Sequence, residues 1–154
     1  MPIVVSSVSI ADFSPAQIWP VLIDFSNFPR VMENVRSVQI LDQTDNGMTA
    51  AWEVELDGAV FAWTERDTFD APRELRFEQI EGDLECWSGF WKLEQTATGT
   101  EVTLEVEFGI GIPSMEPFLN PLAETAIQEN SEQLLEALKR SLDAKDHNEV
   151  STVA

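Results

Sequence analysis

The chain has 154 residues, with 9 Lys or Arg against 28 Asp or Glu, a formal charge of −19. That length is one domain's worth, and 44% hydrophobic with 24% charged residues excludes wholesale disorder, a collagen-like rod or a coiled coil. A surface this acidic repels phosphate backbones and anionic headgroups, which argues against a nucleic-acid partner and against electrostatic membrane docking. Cys86 is alone and His147, the one histidine, sits in a polar C-terminal stretch. An intrachain disulfide, a Cys-rich metal site, a His-based triad, a His-ligated zinc and a haem are therefore set aside, and neither metal nor cofactor is expected. The N-terminus lacks a basic region, and no stretch approaches the roughly 20 apolar residues of a membrane span. The expected address is the cytoplasm, with no membrane insertion.

Residues 3–10 (IVVSSVSI) are β-branched and Ser-rich and read as a first strand. Ser14-Pro15-Ala16-Gln17 starts a helix: Ser14 caps, Pro15 fits the first turn and Gln17 sits at the capping-box position. Pro20 bends or shortens that helix. A second short helical piece follows at 27–32, interrupted by Pro29. From residue 35 the period becomes two. Met48, Ala50, Trp52, Val54 and Leu56 alternate with polar or small residues between a TDNG turn at 44–47 and Asp57-Gly58. Further strands are expected over 60–69, 73–81, 84–95 and 101–108, each separated by turn residues. Hairpin-sized turns between successive strands imply an antiparallel meander.

After a loop broken by Pro113 and Pro117 the period becomes helical. Leu119, Leu122, Ala126, Leu134, Ala137, Leu138 and Ser141 share one stripe from about 118 to 143. Such a helix is on the order of 35–40 Å long, enough to cross a sheet. The expected fold is α+β. A curved antiparallel seven-stranded sheet wraps one long C-terminal helix, two short helices plug one end, and a hydrophobic pocket lies between. Residues 1–143 form the single domain and 144–154 a polar tail.

This order of elements resembles the helix-grip fold of the START-like (SRPBCC) superfamily over nearly the whole chain. The local match is to bacterial polyketide aromatase/cyclases and their coenzyme-Q-binding relatives. It rests on Asp24-Phe25-Ser26-Asn27-Phe28-Pro29, on 32–38 (MENVRSV), on Ala62-Trp63-Thr64-Glu65-Arg66, on Glu81-Gly82-Asp83-Leu84, on Gly89-Phe90-Trp91 and on Glu129-Asn130-Ser131. The fold hosts enzymes and pure binders alike. The resemblance implies a polyketide aromatase/cyclase that promotes aldol ring closure and dehydration in a hydrophobic pocket. The alternative is a carrier for a quinone, lipid or other apolar molecule. The expected partner is thus a hydrophobic or aromatic small molecule, such as a polyketide free or tethered to an acyl carrier protein. The coenzyme-Q-binding branch also contains ribosome-acting toxins, and the charge of −19 argues against that RNA partner.

Thr64-Glu65-Arg66 resembles the cyclases' Ser/Thr-x-Arg strand motif, which implies that Arg66 anchors a carbonyl and stabilises an enolate, with Thr64 beside it. Its orientation depends on one turn. A two-residue loop at Asp57-Gly58 puts Phe61, Trp63 and Glu65 on the Trp52 face and turns Arg66 outward. A three-residue loop over 57–59 puts Val60, Ala62, Thr64 and Arg66 on that face. Composition favours the first register and the resemblance the second, on which Arg66 and Thr64 are the expected catalytic residues. Asn130 falls within the apolar stripe of the long helix and needs a partner or a ligand. Gln133 is a weaker case. Five Trp without a Tyr suit a flat ligand, and Trp52, Trp91, Trp63 and Phe28 are the expected stacking walls. Carboxylates, Thr64 and water are the remaining acid/base groups, with Glu53 and Glu65 nearest the expected site.

Overall fold

The computed structural model describes residues 1–153, with side chains described through residue 144. Strand β1 (Ile3–Ala11) is followed by helix α1 (Pro15–Leu22), a 3-10 turn (Phe25–Asn27) and helix α2 (Phe28–Val31). Six strands follow: β2 (Val35–Thr44), β3 (Gly47–Leu56), β4 (Ala59–Asp70), β5 (Glu74–Gly82), β6 (Cys86–Gln95) and β7 (Gly99–Gly109). Helix α3 spans Glu116–Val153. The sheet order is β1-β7-β6-β5-β4-β3-β2, all antiparallel. This is the expected seven-stranded grip. The tail expected over 144–154 lies, from residue 145, outside the residues whose side chains are described.

Local chemistry sets the plug at the sheet's end. Ser14 N–H donates to Gln17 Oε1 at 2.8 Å and Gln17 N–H donates to Ser14 Oγ at 3.3 Å, closing the capping box. Helix α1 then buries Ile18, Trp19 and Leu22, and the following turns bury Phe25 and Phe28. The Phe25 ring lies 5.1 Å from Trp52, edge-on, so the plug is fastened to the sheet by aromatic packing.

The β3–β4 connection decides which side chains enter the grip. Asp57 and Gly58 both have positive φ, 51° and 83°, the conformation of a two-residue hairpin whose twist matches the flanking strands. Leu56 therefore pairs with Ala59, Trp52 with Trp63 and Ala50 with Glu65. Side chains alternate along a strand, so this turn fixes Trp63, Glu65 and Asp67 on the inner face. The pocket-facing orientation expected for Arg66 and Thr64 is corrected here. Arg66 is exposed on the outer face opposite Thr49, and Thr64 lies on that same face opposite Ala51.

The long helix lies across the inner face, but its buried stripe is shifted from the expected one. Ile127, Asn130, Ser131, Leu134, Leu135, Leu138 and Leu142 face inward, while Leu122 is 64% exposed. The first turns of α3 overhang the sheet across a cavity, opposite Phe61 of β4 and Phe108 of β7, instead of packing directly on it.

Candidate functional site

The inner face carries a continuous aromatic wall. Trp52 and Trp63 stack face to face, with centroids 5.9 Å apart and planes 4° from parallel. Trp87 lies 5.0 Å from Trp63, and Phe28 sits 5.9 Å from Trp52 and 6.2 Å from Trp91. The structure thus brings together the five residues expected to bind substrate: Trp52, Trp63, Trp91, Phe28 and Asn130 are all buried. Gly89, mid-strand in β6, has no room for a side chain, because a Cβ there would run into the Glu105 carbonyl of β7 and lie 2.9 Å from the Phe77 ring. Most of these rings fill the interior. The space left among them, between the sheet and Asn130, Ser131 and Leu134, is only about 30 Å³. That holds a single water-sized group.

Larger space opens where α3 overhangs. A cavity of about 250 Å³ lies between the β3–β4 hairpin and the first half of α3. Phe61, Leu84, Phe108, Ile110, Leu119 and Ile127 give it apolar walls. Beside it is a more polar cleft of about 330 Å³, reaching Asn34, Glu129, Asn130 and Gln133. The two share Leu56, Asp57, Leu122 and Ala126. Asn130 lines both this outer cleft and the inner space, so it stands at the boundary between them. Its position is set by Asn34, whose Nδ2 donates to Asn130 Oδ1 at 2.7 Å and reaches the Glu55 carbonyl at 3.3 Å. At the far end of the molecule a groove of about 820 Å³ runs past Ser14, Asp70, Arg73, Lys92 and Glu94. Its charged walls are exposed and paired, Arg73 with Asp70 and Lys92 with Glu94 at 3.3 and 3.2 Å.

Two acids share the aromatic interior. Glu65 and Asp67 are both buried, Asp67 at 1% exposure. Trp63 Nε1 donates to Glu65 Oε1 at 2.8 Å. Asp67 lies between Met48 and Phe77 in register, and no N–H or O–H among the described residues donates to either of its oxygens. Burial raises the Asp67 carboxyl above its ordinary range. The neighbouring Glu65 raises it further, as a site for its proton and as a like charge. Burial also raises Glu65, while Asp67 and the Trp63 N–H oppose that rise by stabilising its charged form. Among the described residues no Lys or Arg is buried to neutralise the pair. Asp67 therefore holds its proton beside Glu65.

Sequence reasoning put Glu65 on the Trp52 face under the two-residue turn and near the site, but missed Asp67 and hence the pair. The signal was present: Trp63, Glu65, Asp67 and Phe69 share one parity, and Asp57-Gly58 sets that parity inward. The expected acid/base neighbour Glu53 lies on the outer face, opposite Ala62.

Residues 11–135 match the family described as polyketide cyclase/dehydrase and lipid transport. The ribosome association toxin RatA of Escherichia coli is 25% identical over 107 residues, 68% of each chain. The crystal structure of TTHA0849 from Thermus thermophilus superposes with a TM-score of 0.87 at 24% identity, covering 94% of this chain and 99% of that one. The Zhui aromatase/cyclase of a Streptomyces species gives 0.82 at 19% identity, covering 92% and 93%. These likenesses show the fold. No described helix is long and apolar enough to cross a membrane. The match over 11–135 shows the family, and the chain belongs to the polyketide cyclase/dehydrase and lipid-transport proteins.

Proposed function

We propose that the protein binds a flat apolar small molecule at the overhang between the β3–β4 hairpin and α3. The observation that carries this reading is the apolar cavity of about 250 Å³ beside a polar cleft that reaches Asn130. Preformed concave sites with apolar walls and a few convergent polar groups suit small molecules. The acidic surface speaks against RNA and hence against a ribosomal role.

A catalytic form of the same reading is a polyketide aromatase/cyclase, whether the substrate arrives free or on an acyl carrier protein. It is favoured by the family match over 11–135 and by Glu65, a carboxyl that lines the small inner space beyond Asn130. Arg66 has no part in it. An outward guanidinium cannot stabilise an oxyanion inside the grip.

Ala126 lines both the apolar cavity and the polar cleft. Ala126→Trp is expected to weaken binding of 2-naphthol, measured by equilibrium dialysis, by at least about tenfold through steric exclusion. Arg66→Ala is expected to leave it unchanged. Loss of binding in Arg66→Ala with retention in Ala126→Trp would overturn the proposed location.

A further inference from the structure

The apolar cavity and the polar cleft meet along Leu56, Asp57, Leu122 and Ala126, so a ring in the cavity can extend a substituent into the cleft. Two amides define what that substituent meets. Asn130 is 6% exposed, and its Oδ1 accepts from Asn34 Nδ2 at 2.7 Å. Asn34 lines the cleft and not the inner space, so this bond holds the end of the Asn130 side chain on the cleft side. Asn130 Nδ2 donates to no atom among the described residues, and it is not one of the fully buried atoms left unpaired. It is therefore a donor on the cleft wall without an acceptor. Asn34 commits its amide nitrogen to Asn130 and to the Glu55 carbonyl at 3.3 Å, which leaves its Oδ1 open as an acceptor.

The charge of the walls is one-sided. Glu55, Asp57 and Glu129 line the cleft, and no Lys or Arg lines the cleft or the cavity among the described residues. Arg36 balances Glu55 at 3.2 Å, while Asp57 and Glu129 have no ion pair among the described residues. In a chain of net charge −19, a concave acidic site beside an apolar wall concentrates a negative potential.

Resting on the proposed small-molecule site, we infer that the cleft takes a neutral carboxamide head on the ligand. Its carbonyl accepts from Asn130 Nδ2, and its N–H faces Asn34 Oδ1 and the Asp57 and Glu129 carboxylates. The ring that bears it lies in the apolar cavity. The arrangement of donor and acceptors selects the group. An ammonium offers no acceptor to Asn130. A carboxylate of the same shape has no N–H to donate, and it brings a negative charge to walls that hold no cation. A methyl group displaces water from these atoms and replaces none of its hydrogen bonds. The ligand class is therefore a flat aromatic amide, and not a free aromatic or fatty acid.

The test uses 2-naphthamide, 2-naphthoate and 2-methylnaphthalene, which share the ring and differ in the head. Equilibrium dialysis at pH 7 and low salt measures each. The wild type is expected to prefer the amide to the acid by at least about tenfold, and to lose part of that preference as salt is raised. The double variant Asp57→Asn with Glu129→Gln changes two exposed positions, and Asn tolerates the positive φ at 57. It is expected to strengthen binding of the acid severalfold and so to narrow the preference. Asn130→Asp keeps the shape and the acceptor for Asn34 but removes the N–H. It is expected to weaken the amide severalfold and to leave the hydrocarbon unchanged. Equal binding of amide and acid, with both blocked by Ala126→Trp, would overturn the carboxamide head and leave the cavity reading standing. So would a preference that the double variant leaves intact, since it would then come from the apolar cavity alone. Amide binding that is unchanged in Asn130→Asp would overturn it too. Binding of none of the three probes would overturn the head and the cavity reading together.

Discussion

Replacing Asp67 by Asn is expected to stabilise the protein, and to stabilise it more as the pH rises. In the unfolded chain Asp67 titrates near its ordinary value of 3.8, whereas in the fold burial and Glu65 hold its proton to higher pH. Above the unfolded value the folded state binds the extra proton. Stability from this group is then complete at acid pH and is lost as pH rises, at up to about 1.4 kcal/mol per unit. The neighbours give no relief. Met48 and Phe77 pair with Asp67 in register, Ala50 and Gln79 pair with Glu65, and among the described residues no buried cation faces either acid. Asn has nearly the same shape, needs no proton and can donate its amide to Glu65. The expected gain is at least about 1 kcal/mol at pH 7, fading to nothing near pH 4. Urea unfolding of the two proteins across that range measures it. A destabilisation of equal size at every pH would show that Asp67 is not held neutral.

The other large effect is expected at Trp63. Its ring is sandwiched between Trp52 and Trp87, and its Nε1 donates to Glu65 Oε1 at 2.8 Å. Trp63→Ala removes the central slab of the wall and takes the indole donor from a buried carboxyl. Truncations of buried aromatics cost about 3–5 kcal/mol, and this one adds an unpaired acceptor. Trp63→Phe separates the two contributions, since it retains most of the packing and loses the hydrogen bond. It is expected to cost about 1–3 kcal/mol. Chemical denaturation of both variants checks the order. A Trp63→Ala loss below about 1 kcal/mol would mean that the wall is not packed as described.

These two residues also show what could be read before the structure. The capping box at Ser14, the alternation of β3 and the Asp57-Gly58 turn follow from short-range chemistry, and together they specify the grip. The interior position of Asn130 was equally legible, because helical spacing alone places it among apolar neighbours. Arg66 was not, because one residue more or less in the hairpin inverts every side chain of β4. The apolar pair Phe61 and Trp63 pointed to the register the structure has, and the motif likeness pointed to the other. Positive φ at both Asp57 and Gly58 resolves the conflict, and it is a backbone property that a sequence only suggests. Glu65 was legible only under the two-residue turn, and Asp67 escaped because acids are ordinarily solvated. Only after the register is known does their shared parity with Trp63 make them interior. The overhang of α3 was hidden for a similar reason. Leu119 and Leu122 fit the helical stripe, but a cavity separates them from the sheet, so they line that cavity instead of filling a core, and Leu122 is left 64% exposed.

The overhang cavity as the ligand site is the central claim, and chemical-shift mapping of the isotope-labelled protein with 2-naphthol tests it most directly. The expected result is a contiguous set of perturbed amides and methyls at Leu56, Phe61, Ala123, Ala126 and Ile127, the residues around the cavity. Perturbations confined to Thr49, Thr64 and Arg66 on the outer face, or to the groove between Ser14 and Lys92, would contradict it.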